Sequence, residues 1–195
     1  VLLLRPLPKA LRAQHILDAL DPRKDVDGMT TASLGALLTG AAGFAPCTAE
    51  AVTVLLDHYG IDCAGKRAVV IGRSPVVGRP AAMLLLARNA TVTVCHTRTQ
   101  ALSDVTREAD LIVSAAGAAG CLTAAHVRPG QAIIDVSANW DAAKNTIVGD
   151  ADFDAAASIV DAITPVPGGV GAVTSAVLMR HVVQAAERTL EGGNL

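Results

Sequence analysis

The pattern of apolar and polar positions changes near Gly65 and divides the chain into two parts. After this point, short runs of apolar and β-branched residues alternate with stretches of helical spacing. These runs predict β-strands at Ala68–Ile71, Thr91–Cys95, Leu111–Val113 and Ala132–Val136. Strands of continuous apolar character that alternate with helices are typical of a parallel sheet covered on both faces. The second part therefore predicts a doubly wound α/β domain.

Helices and one further short strand complete this second part. Apolar residues at spacings of three and four predict the helices. The predicted helices are Pro80–Ala87, Ala101–Ala109, Ala124–Val127, Asp150–Ala157 and Ala172–Leu190, and Ile159–Ile163 is the further strand. In the last helix we expect an apolar stripe with Val177 and Val182 to face the core.

The part before Gly65 has longer helical stretches and more turns. We expect a strand at Val1–Leu4 that ends at the following prolines, because proline lacks the backbone donor that a strand uses. The predicted helices are Ala10–Leu20, Thr31–Thr39 and Ala49–Tyr59, the last with Thr48 as its N-cap.

A glycine-containing turn joins the first strand of the sheet to its helix. Gly72 ends the strand and Gly78 follows six residues later, where the common dinucleotide loop has the spacing G-x-G-x-x-G. A helix N-terminus at such a turn presents free N–H groups and a positive dipole end, which favour phosphate. The alternative is an ordinary connection in which the glycines only permit tight geometry.

The carboxyl ends of the predicted strands indicate which nucleotide would bind, since ligands of doubly wound sheets lie there. An NAD site commonly has a carboxylate about 20 residues after the glycine turn. Here the second strand is followed by His96, Thr97 and Arg98, and the next acid is Asp104. Together with Arg73, these donors suit a 2′-phosphate and favour NADP. The alternative is that they are solvated loop residues.

A second candidate binding loop precedes the last predicted helix. The segment Thr164–Gly171 has two prolines and three glycines in eight residues. Such a segment has a rigid entrance followed by backbone without side-chain cover, where a ligand can contact the main chain. A structural turn is possible, but so many glycines before a helix favour a binding role.

Two carboxylates, Asp25 and Asp27, lie two residues apart before Gly28. In an extended segment they would point to opposite sides, so that one faces a cleft and the other pairs at the surface. The alternative is an ordinary turn rich in aspartate and glycine.

Composition narrows the possible functions. The net charge is −2 with no basic run, which disfavours nucleic acid and a membrane surface as partners. Aromatic residues make up 2% of the chain, too few for a base-stacking platform. The four cysteines form no C-x-x-C pair, which argues against zinc or disulfides and favours buried small side chains, so we expect no metal site. We expect a soluble cytoplasmic protein.

Several segments, taken in order, resemble one known family. They are Arg5–Lys9, Lys24–Gly28, Pro46–Thr48, Val70–Ser74 with Val77–Pro80, Ala90–His96 and Thr164–Gly171. Together they are similar to the bifunctional methylenetetrahydrofolate dehydrogenase/methenyltetrahydrofolate cyclohydrolase family, from Val1 to about Leu190.

This resemblance implies a fold and an activity. The fold would be an NADP-binding Rossmann domain at 63–164 and part of a second α/β catalytic domain at 1–62, to which 165–195 returns. The activity would be NADP-dependent oxidation of 5,10-methylenetetrahydrofolate to the 5,10-methenyl form and its hydrolysis to 10-formyltetrahydrofolate, in one-carbon metabolism and purine biosynthesis. The partners would be tetrahydrofolate derivatives and a second copy in a homodimer.

The resemblance also assigns residues by position. Asp27 would position the substrate by accepting from two adjacent N–H donors of the pterin. The residues implied at the cofactor are Gly72, Arg73, Ser74, Thr97, Ala138 and Thr174. The residues implied at the folate are Leu4, Arg5, Pro6, Asp27, Pro167, Gly168, Gly169, Val170 and Gly171.

Two departures from the family pattern affect the expected chemistry. The family's catalytic lysine and neighbouring tyrosine lie in a segment that would precede Val1, and we expect this sequence to be part of a longer chain. Leu4 stands where the family usually has a glutamine that supports that lysine, and leucine neither donates nor accepts. A dehydrogenase without cyclohydrolase activity, or a nucleotide- and folate-binding module without catalysis, are therefore the alternatives.

Overall fold

The structure is a computed structural model that describes residues 1–4, 7–8, 11 and 13–192. The described residues form one parallel sheet, one hairpin and helices on both faces of the sheet. The sheet strands are β1 Arg67–Ile71, β2 Thr91–Cys95, β3 Leu111–Ser114, β4 Ala132–Asp135 and β7 Ala162–Ile163, and the hairpin strands are β5 Asn139–Asp141 and β6 Thr146–Val148. The helices are α1 Ala13–Asp18, α2 Thr31–Thr39, α3 Cys47–His58, α4 Gly78–Ala87, α5 Leu102–Arg107, α6 Phe153–Ala157 and α7 Val170–Gly192, with 3₁₀ turns at Pro22–Lys24 and Ala124–His126.

The five sheet strands are all parallel, in the order β2-β1-β3-β4-β7. This confirms the predicted doubly wound α/β fold. The chain order reverses between β1 and β3, and ligands of such sheets bind in the crevice outside the strand ends at this switch point. The fold therefore directs attention to the residues that follow β1 and β3.

Side chains of each strand alternate between two apolar layers. In β1, Ala68 and Val70 face the layer formed with α3, α4 and α7, whereas Val69 and Ile71 face the layer that contains Leu122 and Ala156. Both layers are dry, since these strand residues are at most 4% exposed. The final helix thus packs on the same side of the sheet as the helix that precedes β1.

Three of the four cysteines are buried and Cys121 is half-buried, all as free thiols, which agrees with the predicted role as small core side chains. No described helix is long and apolar enough to cross a bilayer.

The predicted strands of the sheet are correct to within one residue at each end, except that Ile159–Ile163 is reduced to β7. Val1–Leu4 is not a strand, because no neighbouring strand among the described residues pairs with it. The β5–β6 hairpin was not predicted, since its strands have three residues each and no apolar run marks them.

Several predicted helix ends differ from the structure. Thr48 is not an N-cap, because α3 begins at Cys47 and the Glu50 N–H already donates to the Pro46 carbonyl. Asp150 lies outside α6, which begins at Phe153 behind an Asp152 cap. Residues 124–126 form a 3₁₀ turn, and the predicted start at Ala10 falls outside the described residues.

The apolar stripe predicted for the last helix is partly wrong. Val177 is buried, but Val182 is 48% exposed and the neighbouring His181 is buried in its place. The helix also begins at Val170, two residues earlier than expected. Because a buried polar side chain needs a hydrogen-bond partner, His181 must have a polar or charged neighbour inside the fold.

Candidate functional site

The turn after β1 needs both of its glycines for close packing. Gly72 has φ +119°, and a Cβ there would lie 2.2 Å from the carbonyl oxygen of Ala115, in the loop after β3. A Cβ on Gly78 would lie 2.2 Å from the carbonyl oxygen of Gly72. The turn is thus pressed against the β3 loop at the switch point, and no side chain covers its backbone at these two positions.

Ser74 organises the open side of this turn. Its Oγ accepts from the backbone N–H of Val77 at 3.1 Å and of Gly78 at 3.4 Å, next to the start of α4. The Ser74 and Arg73 side chains are both exposed. The α4 N-terminus therefore lies behind a polar, solvent-facing turn, as a phosphate site requires.

The end of β2 lies directly beside this turn. The Gly72 N–H donates to the Cys95 carbonyl at 2.9 Å, which brings Arg73 next to the segment His96–Arg98. The Arg98 N–H donates to His96 Nδ1 at 3.2 Å, and the Thr97 side chain is exposed. Asp104, the next acid, is already paired with Arg107 in α5.

The two arginines at this edge have no acidic partner of their own. Within the described part of the chain, neither Arg73 nor Arg98 takes part in an ion pair. Exposed, unpaired guanidinium groups beside a helix N-terminus can bind an anion through two parallel hydrogen bonds.

A buried carboxylate, Asp150, ties together the loops after β3 and β4. It accepts from the backbone N–H of Ala116 (2.8 Å) and Ala118 (2.7 Å) and from the side chains of Ser114 (2.9 Å), Ser137 (2.7 Å) and Asn139 (3.0 Å). Burial opposes its ionisation, but these donors outweigh it and hold the pKa of Asp150 below its usual value.

The sequence analysis missed Asp150 as a site residue. The available signal was an acid separated by Gly149 alone from the β-branched run Thr146–Val148, but the sequence analysis assigned this acid to the start of a helix. Asp150 holds the loop after β4 in place, because Ser137 donates to it. The next residue in this loop, Ala138, is exposed.

A second buried acid, Asp135, is the last residue of β4, and its pKa is shifted in the opposite direction from that of Asp150. It accepts from the Ser137 N–H at 3.1 Å and the Ala151 N–H at 2.8 Å. Burial, together with the nearby Asp150 charge, raises the pKa of Asp135 to about 6 in spite of these two donors. Asp135 also lines a cavity of about 380 Å³ with Asp141 and Lys144. No group of three or more His, Cys, Asp or Glu in the described residues is arranged to hold a metal ion.

The Pro-Gly loop, Thr164–Gly171, lies against the end of β4. Thr164 Oγ1 accepts from the Asp135 N–H at 2.8 Å. Gly168 has φ +97°, which favours glycine, and a Cβ on Gly169 would lie 2.4 Å from the Pro165 carbonyl oxygen. The backbone conformation of the loop therefore requires glycine at both positions. A Cβ on Gly171 would meet nothing within 4 Å.

The beginning of α7 continues the Pro-Gly loop. Pro167 is exposed and Val170 is buried, and Thr174 is half-buried with its Oγ1 donating to the Val170 carbonyl at 3.0 Å. The structure therefore brings the loop, the glycine turn and Ala138 to one edge of the sheet, which we call the carboxyl edge.

Asp27 lies on a separate segment, which we call the Asp27 loop (Asp25–Thr30). Asp25 is buried and accepts from the Thr30 N–H and the Ser33 hydroxyl, both at 2.7 Å, so it holds the start of α2 and is not the expected surface pair. These hydrogen bonds overcome burial and lower the pKa of Asp25. Asp27 is half-buried beside the Cys47 thiol, and its carboxylate contributes to the raised pKa of that thiol.

Among the other predicted folate residues, the structure describes Leu4 near the start of the chain. Leu4 is 76% exposed, and Leu3 instead lines a small cavity beside Asp27. Arg5 and Pro6 fall outside the described residues.

Comparison with known proteins shows similarity over most of the chain. The family model of the tetrahydrofolate dehydrogenase/cyclohydrolase, NAD(P)-binding domain, matches residues 46–190. The bifunctional protein FolD of Variovorax paradoxus is 50% identical over 188 residues, which is 96% of this chain and 66% of that protein. The chain thus spans about two thirds of the length of this relative.

Two solved structures are similar throughout. The bifunctional enzyme FolD from Campylobacter jejuni superposes with a TM-score of 0.92 at 44% identity, over 95% of this chain and 66% of that one. The Trypanosoma brucei N5,N10-methylenetetrahydrofolate dehydrogenase-cyclohydrolase, solved as a complex with NADP cofactor and inhibitor, gives a TM-score of 0.89 at 36% identity, over 96% and 66%.

Proposed function

Because this chain belongs to the tetrahydrofolate dehydrogenase/cyclohydrolase family, we propose that it oxidises 5,10-methylenetetrahydrofolate with NADP and takes part in hydrolysis of the methenyl product to 10-formyltetrahydrofolate. The family resemblance of the sequence motifs is confirmed by the matching family model. The observation that carries the proposed activity is the solvent-facing turn after β1 at the switch point of the sheet, beside which Arg73 and Arg98 form no ion pair with any residue that the structure describes.

The residues at the carboxyl edge fit a dinucleotide phosphate. Gly72 and Gly78 let the turn pack against the loop after β3, and the exposed side chains of Arg73 and Ser74 lie beside the start of α4. Arg73 would hold the 2′-phosphate, with Thr97, Ala138 and Thr174 as further contacts proposed from the family pattern. Bound NADP supplies the hydride acceptor, and this edge supplies its orientation.

The Asp27 loop is the proposed folate site. The Asp27 carboxylate is half-buried and can accept from two adjacent N–H groups of a pterin. The Pro-Gly loop would border both ligands, from Pro167 through Gly168, Gly169 and Val170 to Gly171. Hydride transfer then depends mainly on the relative position of two bound partners.

The hydrolytic step requires a proton-transfer group as well. The family resemblance implies that a lysine and a tyrosine in a segment preceding Val1 supply this group. Leu4, in place of a glutamine, is exposed and carries no polar group. This favours a dehydrogenase without cyclohydrolase activity as the second candidate.

We also propose a cytoplasmic homodimer, with the division into a catalytic domain at 1–62, an NADP-binding domain at 63–164 and a returning segment at 165–195. The position of the parallel sheet, between residues 67 and 163, supports this division.

The test is a spectrophotometric assay of the complete gene product with 5,10-methylenetetrahydrofolate and either NADP or NAD. We expect methenyltetrahydrofolate and NADPH to form together with NADP, followed by decay of the methenyl signal. Formation without enzyme-dependent decay would identify the dehydrogenase alone. No turnover by a folded product that still binds NADP would contradict both and leave a binding module.

A further inference from the structure

A buried histidine of α7 lies against the Asp27 loop, although the two are far apart in sequence. His181 is 2% exposed, with Nδ1 2.9 Å from the Val26 carbonyl oxygen and Nε2 3.0 Å from Glu50 Oε2. Burial opposes the ionisation of Glu50, but its contacts with His181 and Arg180 outweigh burial and lower the pKa of Glu50. Each nitrogen of the His181 ring therefore lies at hydrogen-bond distance from an oxygen acceptor.

The neighbouring Cys47 gives this cluster the composition of a nucleophilic site, but its contacts argue against that role. The Cys47 thiol donates to the Val26 carbonyl at 3.3 Å, and its Sγ lies 3.6 Å from His181 Nδ1. Burial, with the Asp27 and Glu50 carboxylates nearby, raises the pKa of Cys47 to about 12. His181 Nδ1 lies 2.9 Å from the Val26 carbonyl oxygen, which can only accept, so this nitrogen donates there and does not act as a base for the thiol.

The cluster fixes the peptide group between Val26 and Asp27. The Val26 carbonyl accepts from both His181 and Cys47, and because a peptide unit is planar, a fixed carbonyl also fixes the amide of Asp27. On the other side, the Gly28 N–H donates to the Asp25 carbonyl at 3.1 Å. Asp27 therefore lies between two anchored points.

The histidine is itself held in one orientation. Its ring packs on Phe44, with 4.7 Å between the two ring centroids. The guanidinium carbon of Arg188 lies 4.4 Å from the centroid of the same Phe44 ring. His181 lies on the same helix as Thr174, seven residues or about 10 Å along the axis. One helix thus connects the carboxyl edge with the Asp27 loop.

We propose that His181 is a positioning residue for the folate substrate, which fixes the Val26–Asp27 peptide so that the Asp27 carboxylate meets the pterin donors in one orientation. This inference rests on the proposed function, because a pterin is the ligand expected at Asp27. It assigns to α7 a function in substrate binding besides its packing on the sheet.

Two variants separate this function from simple packing. In His181→Asn, the amide nitrogen stands near the position of Nδ1 and can still donate to Val26. In His181→Gln, the longer side chain places its amide near Nε2, toward Glu50, and the donor to Val26 is lost. A residue that only balances Glu50 or fills space would be replaced at least as well by glutamine as by asparagine.

The experiment is calorimetric titration of the complete gene product and both variants with tetrahydrofolate and, separately, with NADP. We expect His181→Gln to weaken tetrahydrofolate binding at least tenfold and His181→Asn less than threefold, with NADP affinity unchanged within twofold in both. Wild-type affinity for tetrahydrofolate in His181→Gln, or equal weakening of both ligands, would overturn the inference. Absence of tetrahydrofolate binding by the wild type would overturn the proposed function as well.

A second measurement tests whether His181 acts through Asp27, and its Cys47→Ala part applies also if His181→Gln folds poorly. In an Asp27→Asn background, His181→Gln and Cys47→Ala should each change tetrahydrofolate affinity less than twofold. In the wild-type background, Cys47→Ala removes the other donor to Val26 and should weaken tetrahydrofolate severalfold. Equal effects of Cys47→Ala in both backgrounds would contradict a function exerted through Asp27.

Discussion

The carboxyl edge and the Asp27 loop are built in different ways. At the carboxyl edge, each contact lies within the sheet and its connecting loops, as with Gly72 against Ala115 and Asp150 below Ser137. The Asp27 loop is held from outside, by His181 of the last helix, 155 residues further along the chain. The first site is a property of the sheet fold, and the second depends on how helices pack onto that fold.

This difference predicts which substitutions reduce stability and which reduce binding. Changes at the carboxyl edge should destabilise the fold, since its loops share buried carboxylates and backbone contacts. Changes near Asp27 should alter the affinity for one ligand. The following predictions test this contrast, beginning with the largest effect.

Asp150→Asn should cost about 3 to 5 kcal/mol in the free energy of unfolding, because five donors converge on the carboxylate and an amide NH₂ would face some of them. Urea denaturation measures the change. The matched variant Asp154→Asn, at an exposed position, should change the same quantity by less than about 0.5 kcal/mol. A loss below about 1 kcal/mol in Asp150→Asn would mean that this network does not support the edge.

Asp135 should make stability depend on pH. Its pKa in the fold is about 6 against an ordinary 3.8, so the folded form is protonated at pH 5 while the unfolded chain is ionised. The stabilisation that this protonation gives is therefore lost as the pH rises through about 6, by up to roughly 3 kcal/mol.

The measurement compares unfolding of the wild type and Asp135→Asn by urea at pH 5 and at pH 8. The wild type should lose stability relative to the variant at the higher pH, because the variant carries no buried charge there. A difference that is the same at both pH values would show that Asp135 in the fold does not change protonation between pH 5 and pH 8, which contradicts a pKa near 6.

Gly78→Ala should destabilise by about 2 to 3 kcal/mol, since the new Cβ would lie 2.2 Å from a backbone oxygen that cannot move without the turn. The matched change Gly35→Ala, inside α2 with nothing within 4 Å, should stabilise by about 0.5 to 1 kcal/mol. Thermal unfolding of both variants checks this pair. Equal effects would contradict the close approach of the two loops.

Arg73→Ala should weaken NADP binding about 10- to 100-fold, because it removes charge-assisted hydrogen bonds to the 2′-phosphate, and NAD binding less than about twofold. Arg67→Ala is the matched control, at the opposite end of β1 and paired with Glu108. Titration calorimetry with both nucleotides provides the comparison. Equal weakening of NADP and NAD would exclude the 2′-phosphate function.

The sheet could be predicted from the sequence because its strands are local signals. Ala68–Ile71 and Leu111–Val113 are apolar on both sides and bounded by glycine or polar residues, and burial on both faces is what such runs require. The position of the carboxyl edge could be predicted as well, because the carboxyl ends of parallel strands lie at the same edge of a sheet. The observed register of β1 beside β2 and β3 confirms that juxtaposition.

The support of both sites could not be predicted, because it depends on partners distant in sequence. The sequence predicted Asp135 within a strand and Asp150 at the start of a helix, and their buried hydrogen bonds become visible only when Ser137 and Ala151 are placed beside them. In α7, the helical period allowed either Val182 or its neighbour His181 to face inward, and in the structure His181 faces inward because it contacts Val26. The burial of Asp25 could not be predicted either, because it depends on a contact with Ser33 of α2.

The most direct test of the account is the titration of Asp27→Asn in the complete gene product with tetrahydrofolate and with NADP. If the two regions bind different ligands, tetrahydrofolate affinity falls at least tenfold while NADP affinity stays within twofold of wild type. Unchanged tetrahydrofolate affinity, or an equal loss for both ligands, would contradict the assignment of the folate to the Asp27 loop.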